Sequence, residues 1–266
     1  MDETPLAAAH RAMTTAPDDA AARLAYYRTL AASELCLALA REPAGDQLDP
    51  LVIDAADGPL LLAFEDEDRL AAFSGQPQPY AALPGRVILS LMAGQSLSLG
   101  VNFETEAGAF LMPAETVDWL AARLAESPAP GRAAPRGWAA PDVPASAAAG
   151  LAAALAGAAG LTRRAWLVAA LGDGGVRTLT LAFESARPEA EPALAKAGAE
   201  ALTFSGVAEG RADVLFLTEA EVRRAGIDRI ALAIPLPPVD HRPPPAATRP
   251  APAAPGSDPA RPPRLR

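Results

Sequence analysis

Four acids stand together at Glu65, Asp66, Glu67 and Asp68, the densest carboxylate cluster in the sequence. Paired carboxylates do general acid–base work or hold a divalent cation. No glycine-punctuated calcium loop surrounds these four, and Leu70 and Phe73 follow at helical spacing. The expectation is therefore a solvated helix start, in which negative charge opposes the helix dipole and Leu70 and Phe73 form the apolar side. The competing reading is a pocket onto which Glu65 to Asp68 converge, which would make the chain a carboxylate-based small-ligand binder or enzyme.

Other chemistry-bearing residues are sparse. His10 and His241 are the two histidines, one beside the first expected helix and one near the far end, with no HExxH pattern. Neither is placed to ligate a metal or to serve as the base of a Ser-His or Cys-His pair. Cys36 is the single cysteine, so no intramolecular disulfide forms, and its apolar setting "ELCLAL" reads as core. Lys196, the sole lysine among 23 basic residues, lies inside "ALAKAGAE" and not in a phosphate loop. "GDGG" at Gly172 joins two expected strands and reads as a hairpin turn, while "GQSLS" around Ser96 lacks the second glycine of a nucleophile elbow. No catalytic, metal or cofactor-binding residue is assigned, and the chain is expected not to be an enzyme.

One aromatic is out of place. In the helix expected from Pro113 to Ala125, Val117, Leu120, Ala121 and Leu124 form a core-facing stripe. Trp119 projects nearly opposite, on a side shared with Glu115, Ala122, Arg123 and Glu126. Tryptophan is over-represented among binding anchors. Trp119, Glu115 and Arg123 are therefore marked as an interaction surface for a protein partner; the alternative is a helix sandwiched in its own domain with Trp119 as core.

The elements that must position these residues follow from periodicity. "PDDAAARLAYYRTLAASE" is expected to be a helix capped by Asp18 or Asp19, with Leu24, Tyr27 and Leu30 recurring along it. "ELCLALA", "GPLLLAFE", "LSLGVNF" and "GAFLMP" read as strands and "RVILSLMAG" as a helix. After a break come an Ala-rich helix with Ser146 as cap, a hairpin of "RRAWLVAAL" and "VRTLTLAFE", and a helix over "PEAEPALAKAGAEALTF". "ADVLFL" follows as a strand, "EAEVRRAG" as a short helix and "DRIALAI" as a last strand with Ile230, Leu232 and Ile234 on one face. The tetrapeptide "LAFE" occurs at Leu62 to Glu65 and again at Leu181 to Glu184, each time before a helix ending in "FSG". Tandem strand-helix modules and chance similarity in a low-entropy sequence explain this equally well.

Composition sets the frame. With 266 residues the chain has room for roughly two domains. Half of it is hydrophobic but much of that is Ala, and aromatics are 5%, so Leu, Val, Ile and Phe must carry the core. The fold class is expected to be α+β: a sheet-and-helix domain over 1–125, a Pro/Ala-rich linker over 126–144, a second such domain over 145–238 and a disordered Pro/Arg tail over 239–266. The net charge of -9 repels nucleic acid and anionic membrane surfaces. The longest uncharged run, 145–161, is too short and too rich in Ala and Gly to span a bilayer, and the first residues lack a secretory pattern. The cytoplasm is the expected compartment.

The run "GPLLLAFEDEDRLAAF", followed by "YAALPGRVILSLMAGQSLSLGVNFETEAGAFLMPAETVDWLAARL", resembles the SseB family. It shows an Ala-Phe strand, an acidic helix start, a Leu-Gly-x-Asn turn and a closing "WL" helix. The resemblance covers about residues 18 to 125, and the second half looks like the C-terminal domain of the same family. It implies no catalytic residues. The family is named for a bacterial protein of enhanced serine sensitivity, and the domain name is also attached to a type III secretion translocon protein. The function expected is a non-enzymatic cytoplasmic interaction or regulatory module, with a secretion-associated role as a further alternative.

Overall fold

A computed structural model describes residues 3–42, 48–56, 58–103, 108–128, 135–144, 147–207 and 212–238. The fold is α+β, with two sheets that each carry helices. The expected tail from 239 and the expected cap Ser146 lie outside the described residues.

The chain opens with α1 (Pro5–Thr15), which the sequence reading did not include. Thr4 caps it, its hydroxyl accepting from the Ala7 N–H at 3.0 Å, and Pro5 suits the first helical position. Helix α2 (Ala20–Ala32) starts at Asp19, whose carboxylate accepts from the Ala21 N–H at 2.8 Å. Of the two expected caps, Asp19 is therefore the one used.

The first sheet comprises β1 (Glu34–Ala38), β2 (Val52–Ala55), β3 (Gly58–Phe64), β4 (Tyr80–Pro84), β5 (Ser98–Val101) and β6 (Phe110–Met112). Helices α3 (Glu67–Ser74), α4 (Gly85–Met92) and α5 (Ala114–Ala125) are interleaved with them. The strand order is β4-β1-β3-β5-β6, with β2 also on β3. β3 and β5 are parallel; the other pairs are antiparallel. β2 and β4 were not expected: β2 is too exposed to show a clear apolar alternation, and β4 holds a proline at an outer end.

Alternation along the strands makes two cores. Leu35, Leu37, Leu61, Leu99 and Val101 face α1, α2, α4 and α5, where Tyr26, Leu30, Ile88, Leu89 and Leu120 meet them. Cys36, Leu60, Leu62 and Phe64 face the other way, under Leu70 of α3. Cys36 is buried, as its setting predicts.

The second sheet holds β7 (Gly137–Ala139), β8 (Arg164–Leu171), β9 (Arg177–Glu184), β10 (Ala212–Leu217) and β11 (Leu232–Ile234). Its helices are α6 (Ala147–Ala154), α7 (Glu191–Thr203), α8 (Glu219–Ala225) and α9 (Ile227–Ile230). The order is β10-β9-β8-β11, with β7 also on β8. The β8–β9 hairpin runs in register from Arg164↔Glu184 to Leu171↔Arg177. The "GDGG" segment is its turn: Gly174 and Gly175 have φ of 71° and 79°, a conformation open to glycine at little cost.

Two expectations need correction. The 126–144 linker contains β7, because the Arg136 N–H already donates to Leu171 at 2.7 Å and Trp138 packs beside Trp166, Ala182, Val222 and Ile227. Ile230 belongs to α9 and not to the last strand, since Gly226 in the left-handed region ends α8 and lets a short second turn form.

The described residues up to Leu236 form one compact unit. Within it, Phe204 at the end of α7 is 2% exposed and sits in the core of the first sheet. Arg86 of α4 pairs with Glu200 of α7 at 3.3 Å, and a Cβ at Gly206 would lie 3.1 Å from that of Ala21. Among the described residues no helix is long and apolar enough to cross a membrane.

α2 and α4 touch backbone to backbone. The Gly85 N–H donates to Ser33 at 2.8 Å, and a Cβ at 85 would overlap the Leu30 carbonyl oxygen. Gly85→Ala should therefore cost about 2 to 3 kcal/mol by overpacking against rigid backbone. Denaturant unfolding checks this, and a change below about 0.5 kcal/mol would show that α2 and α4 can separate freely.

Candidate functional site

α5 turns its expected stripe inward: Val117, Leu120, Ala121 and Leu124 are buried. Trp119 is 40% exposed, so it is not closed core. Its ring lies 6.2 Å from that of Tyr27 on α2, inclined at 58°. Between the two helices runs a groove of about 460 Å³, lined by Arg23, Leu24 and Tyr27 on one side and Glu115, Thr116 and Trp119 on the other. Arg123 is not part of that lining; it pairs with Glu126 at 2.7 Å near the end of α5, where a cation suits the helix dipole. Trp119 and Glu115 are thus brought together and Arg123 is not.

The sequence reading missed the opposite wall. Leu24 and Tyr27 recur at core spacing, and Tyr27 is indeed 9% exposed, but one edge of its ring remains on the groove. Burial holds the Tyr27 hydroxyl above its ordinary value, against the opposing pull of Arg23, so it is neutral at physiological pH. The groove offers an aromatic pair, one cation, one carboxylate and two hydroxyls. That set suits recognition of a side chain more than bond making.

The four acids separate. Asp66 is the N-cap of α3, accepting from the Arg69 N–H at 2.8 Å and from Arg69 Nε at 3.2 Å. Glu67 and Asp68 occupy the exposed first turn. Glu67 accepts from the Tyr80 hydroxyl, and that bond foremost pushes the Tyr80 phenol up to about 12.

Glu65 is the exception to the solvated-cap expectation. Its side chain is 6% exposed at the end of β3. It accepts from Asn102 Nδ2 at 2.7 Å and from the Thr4 hydroxyl, with Arg69 at 3.8 Å. Asn102, 1% exposed with φ of 48°, takes the Glu65 N–H on its Oδ1 at 3.0 Å. β3 and β5 are parallel neighbours, so both residues stand at carboxyl ends of adjacent strands. The carboxylate holds α1, α3 and the end of β5 together instead of facing solvent.

His10, expected beside the first helix, lies on α1. It sits 5.7 Å from the Tyr26 ring and 6.0 Å from Phe110, both in edge contact. Burial lowers its pKa, with Glu65 pulling the other way. Among the described residues, no three of His, Cys, Asp and Glu gather as metal ligands would.

Residues 6–118 match the family model described as the SseB protein N-terminal domain. No curated protein and no solved structure matches the chain. The matched segment contains the whole first sheet, Glu65 with Asn102 and Arg69, and the groove as far as Thr116, with Thr4 just before it.

Glu65→Ala strands a buried amide and a hydroxyl, and should cost about 2 kcal/mol or more. Asp68→Ala should cost roughly 0.3 to 1 kcal/mol, the range for an exposed helix start. Equal losses in denaturant titrations would refute the distinction. His10 makes a second prediction. Its folded pKa is lowered, so the stability it contributes is full above 6.5 and is lost as pH falls below that value toward the folded pKa. His10→Gln should remove that part of the acid-side slope in thermal unfolding measured from pH 7.5 to 5; an unchanged slope would contradict the assignment.

Proposed function

We propose, with an SseB N-terminal domain at residues 6–118 as the premise, that this chain is a non-enzymatic cytoplasmic interaction module that takes a protein partner on the α2–α5 groove. One observation carries the reading: Trp119 is 40% exposed beside Tyr27, on a helix whose other large apolar residues are buried. An indole left partly in water gains roughly 25 cal/mol for every Å² of apolar area that a partner covers. The two inclined rings suit an apolar side chain inserted between them, and Arg23 and Glu115 at the rim give direction to its flanks. With the chain at a net charge of -9, a neutral or basic partner is favoured over an acidic one.

The second sheet, which the Phe204 contact joins to the first, is read as the C-terminal domain of the same family. The carboxylates of Glu65 to Asp68 lend the carboxylate-based alternative little support, because Glu65 is taken by Asn102 and Thr4, Asp66 by Arg69 and Glu67 by Tyr80, while Asp68 is exposed on the first turn of the helix.

Trp119→Ala in the full chain is the test. Affinity purification from the native host followed by mass spectrometry should recover a partner with the wild type, and titration with that partner should show a loss of about 2 kcal/mol or more, near thirtyfold in Kd, for the variant. Denaturant stability should change by less than about 1 kcal/mol. A stability loss above about 3 kcal/mol would make Trp119 a core residue, and equal affinity of both proteins would remove the groove from the interaction.

A further inference from the structure

A second opening lies between α2, α6 and the end of α7, away from the Trp119 groove. It has a volume of about 350 Å³, at the small end of the ~300 to 1,000 Å³ typical of ligand pockets. Its walls are narrow and apolar: Ala21 and Ala25 on α2, Gly150 and Ala154 on α6, and Phe204 and Val207 beyond α7. Ser205, also on the lining, has its hydroxyl engaged with Leu202 at 2.7 Å and Val207 at 3.3 Å.

Among the described lining residues, Arg28 is the charged one. It is half-buried on α2, and no carboxylate, carbonyl or hydroxyl of the described residues accepts from its guanidinium. Arg69, the other half-buried arginine described, is paired with Glu65 and Asp66. A guanidinium carries five N–H donors in a fixed fork, so desolvating part of it without a protein acceptor among the described residues has a cost. Burial without a counter-charge also lowers its pKa, although an arginine remains ionised.

We propose that this crevice binds a small monocarboxylate with an apolar chain, its carboxylate forked on Arg28 and its chain lying between the alanine and glycine walls. One guanidinium, the one cation among the described lining residues, matches one negative charge. A phosphate dianion would need more donors than the described lining residues have, against the repulsion of a net charge of -9. Among the described lining residues Arg28 and Ser205 carry the polar side-chain groups, and the Ser205 hydroxyl is already engaged, which leaves little for a sugar or a base. Because α2 packs on the first sheet and α6 and α7 on the second, an occupant touches both halves at once. This site is independent of the interaction proposed for Trp119.

Calorimetric titration of the full chain with octanoate tests the proposal, with hexanoate, butanoate and neutral octanamide as companions. Octanoate should bind one to one, affinity should fall about tenfold for every two methylenes removed, and octanamide should bind at least about tenfold more weakly than octanoate. Arg28→Gln should weaken octanoate about tenfold or more with the far-ultraviolet dichroism unchanged. Ala25→Leu, which keeps the charge and fills the crevice, should abolish saturable binding. Absence of saturable octanoate binding to the wild type would overturn the proposal. So would equal binding of octanamide, or unchanged affinity in folded Arg28→Gln or Ala25→Leu.

Discussion

Where α2 meets the start of α4 and the segment after α7, the contact is made by backbone and small residues, and the positions of both openings depend on it. Gly85 lies against the Leu30 carbonyl, where a side chain would not fit, and Gly206 lies against Ala21. These approaches hold α2 between the helices of the first sheet and those of the second. Tyr27 is thereby set beside Trp119, while Ala21, Ala25 and Arg28 are turned to the opening by α6 and α7. A backbone contact has no rotamers with which to relax, so the spacing on either side of α2 is well defined.

Buried carboxylates set the ends of the two sheets. Glu65 and Glu184 each close a "LAFE" segment on a central strand with a parallel neighbour. Each accepts a side-chain N–H from within its own sheet: Asn102 Nδ2 for Glu65 and Trp166 Nε1, at 2.8 Å, for Glu184. Arg164 stands 3.6 Å from the second glutamate, which is 1% exposed. An unanswered buried charge is far more costly than a paired one, so these donors tie specific elements to the strand ends. The shared placement extends the likeness of the two halves beyond four letters, although the helices that follow end differently: Phe73 stays over its own sheet and Phe204 enters the core of the other.

Local chemistry, read from the sequence alone, determined the helix over 114–125 with its buried stripe, the β8–β9 hairpin with its glycine turn, the cap region before α3 and the burial of Cys36. Each depends on residues within about ten positions of one another, where periodicity and turn preference act directly. The α+β class followed from the same patterns, and the SseB likeness from the run between Gly58 and Leu124. Tertiary structure alone decided the rest. Glu65 differs from Asp66, Glu67 and Asp68 only because Thr4 and Asn102, distant in sequence, arrive to meet it. β7 is a strand only because β8 offers it an edge, and Leu24 and Tyr27 became a groove wall because Trp119 came to rest beside them. Arg28, unremarkable on a helix of alanines, came to line the opening by α6 and α7 with no acceptor among the described residues. Such pairings are set by which surfaces meet, and composition and spacing along one segment do not encode them.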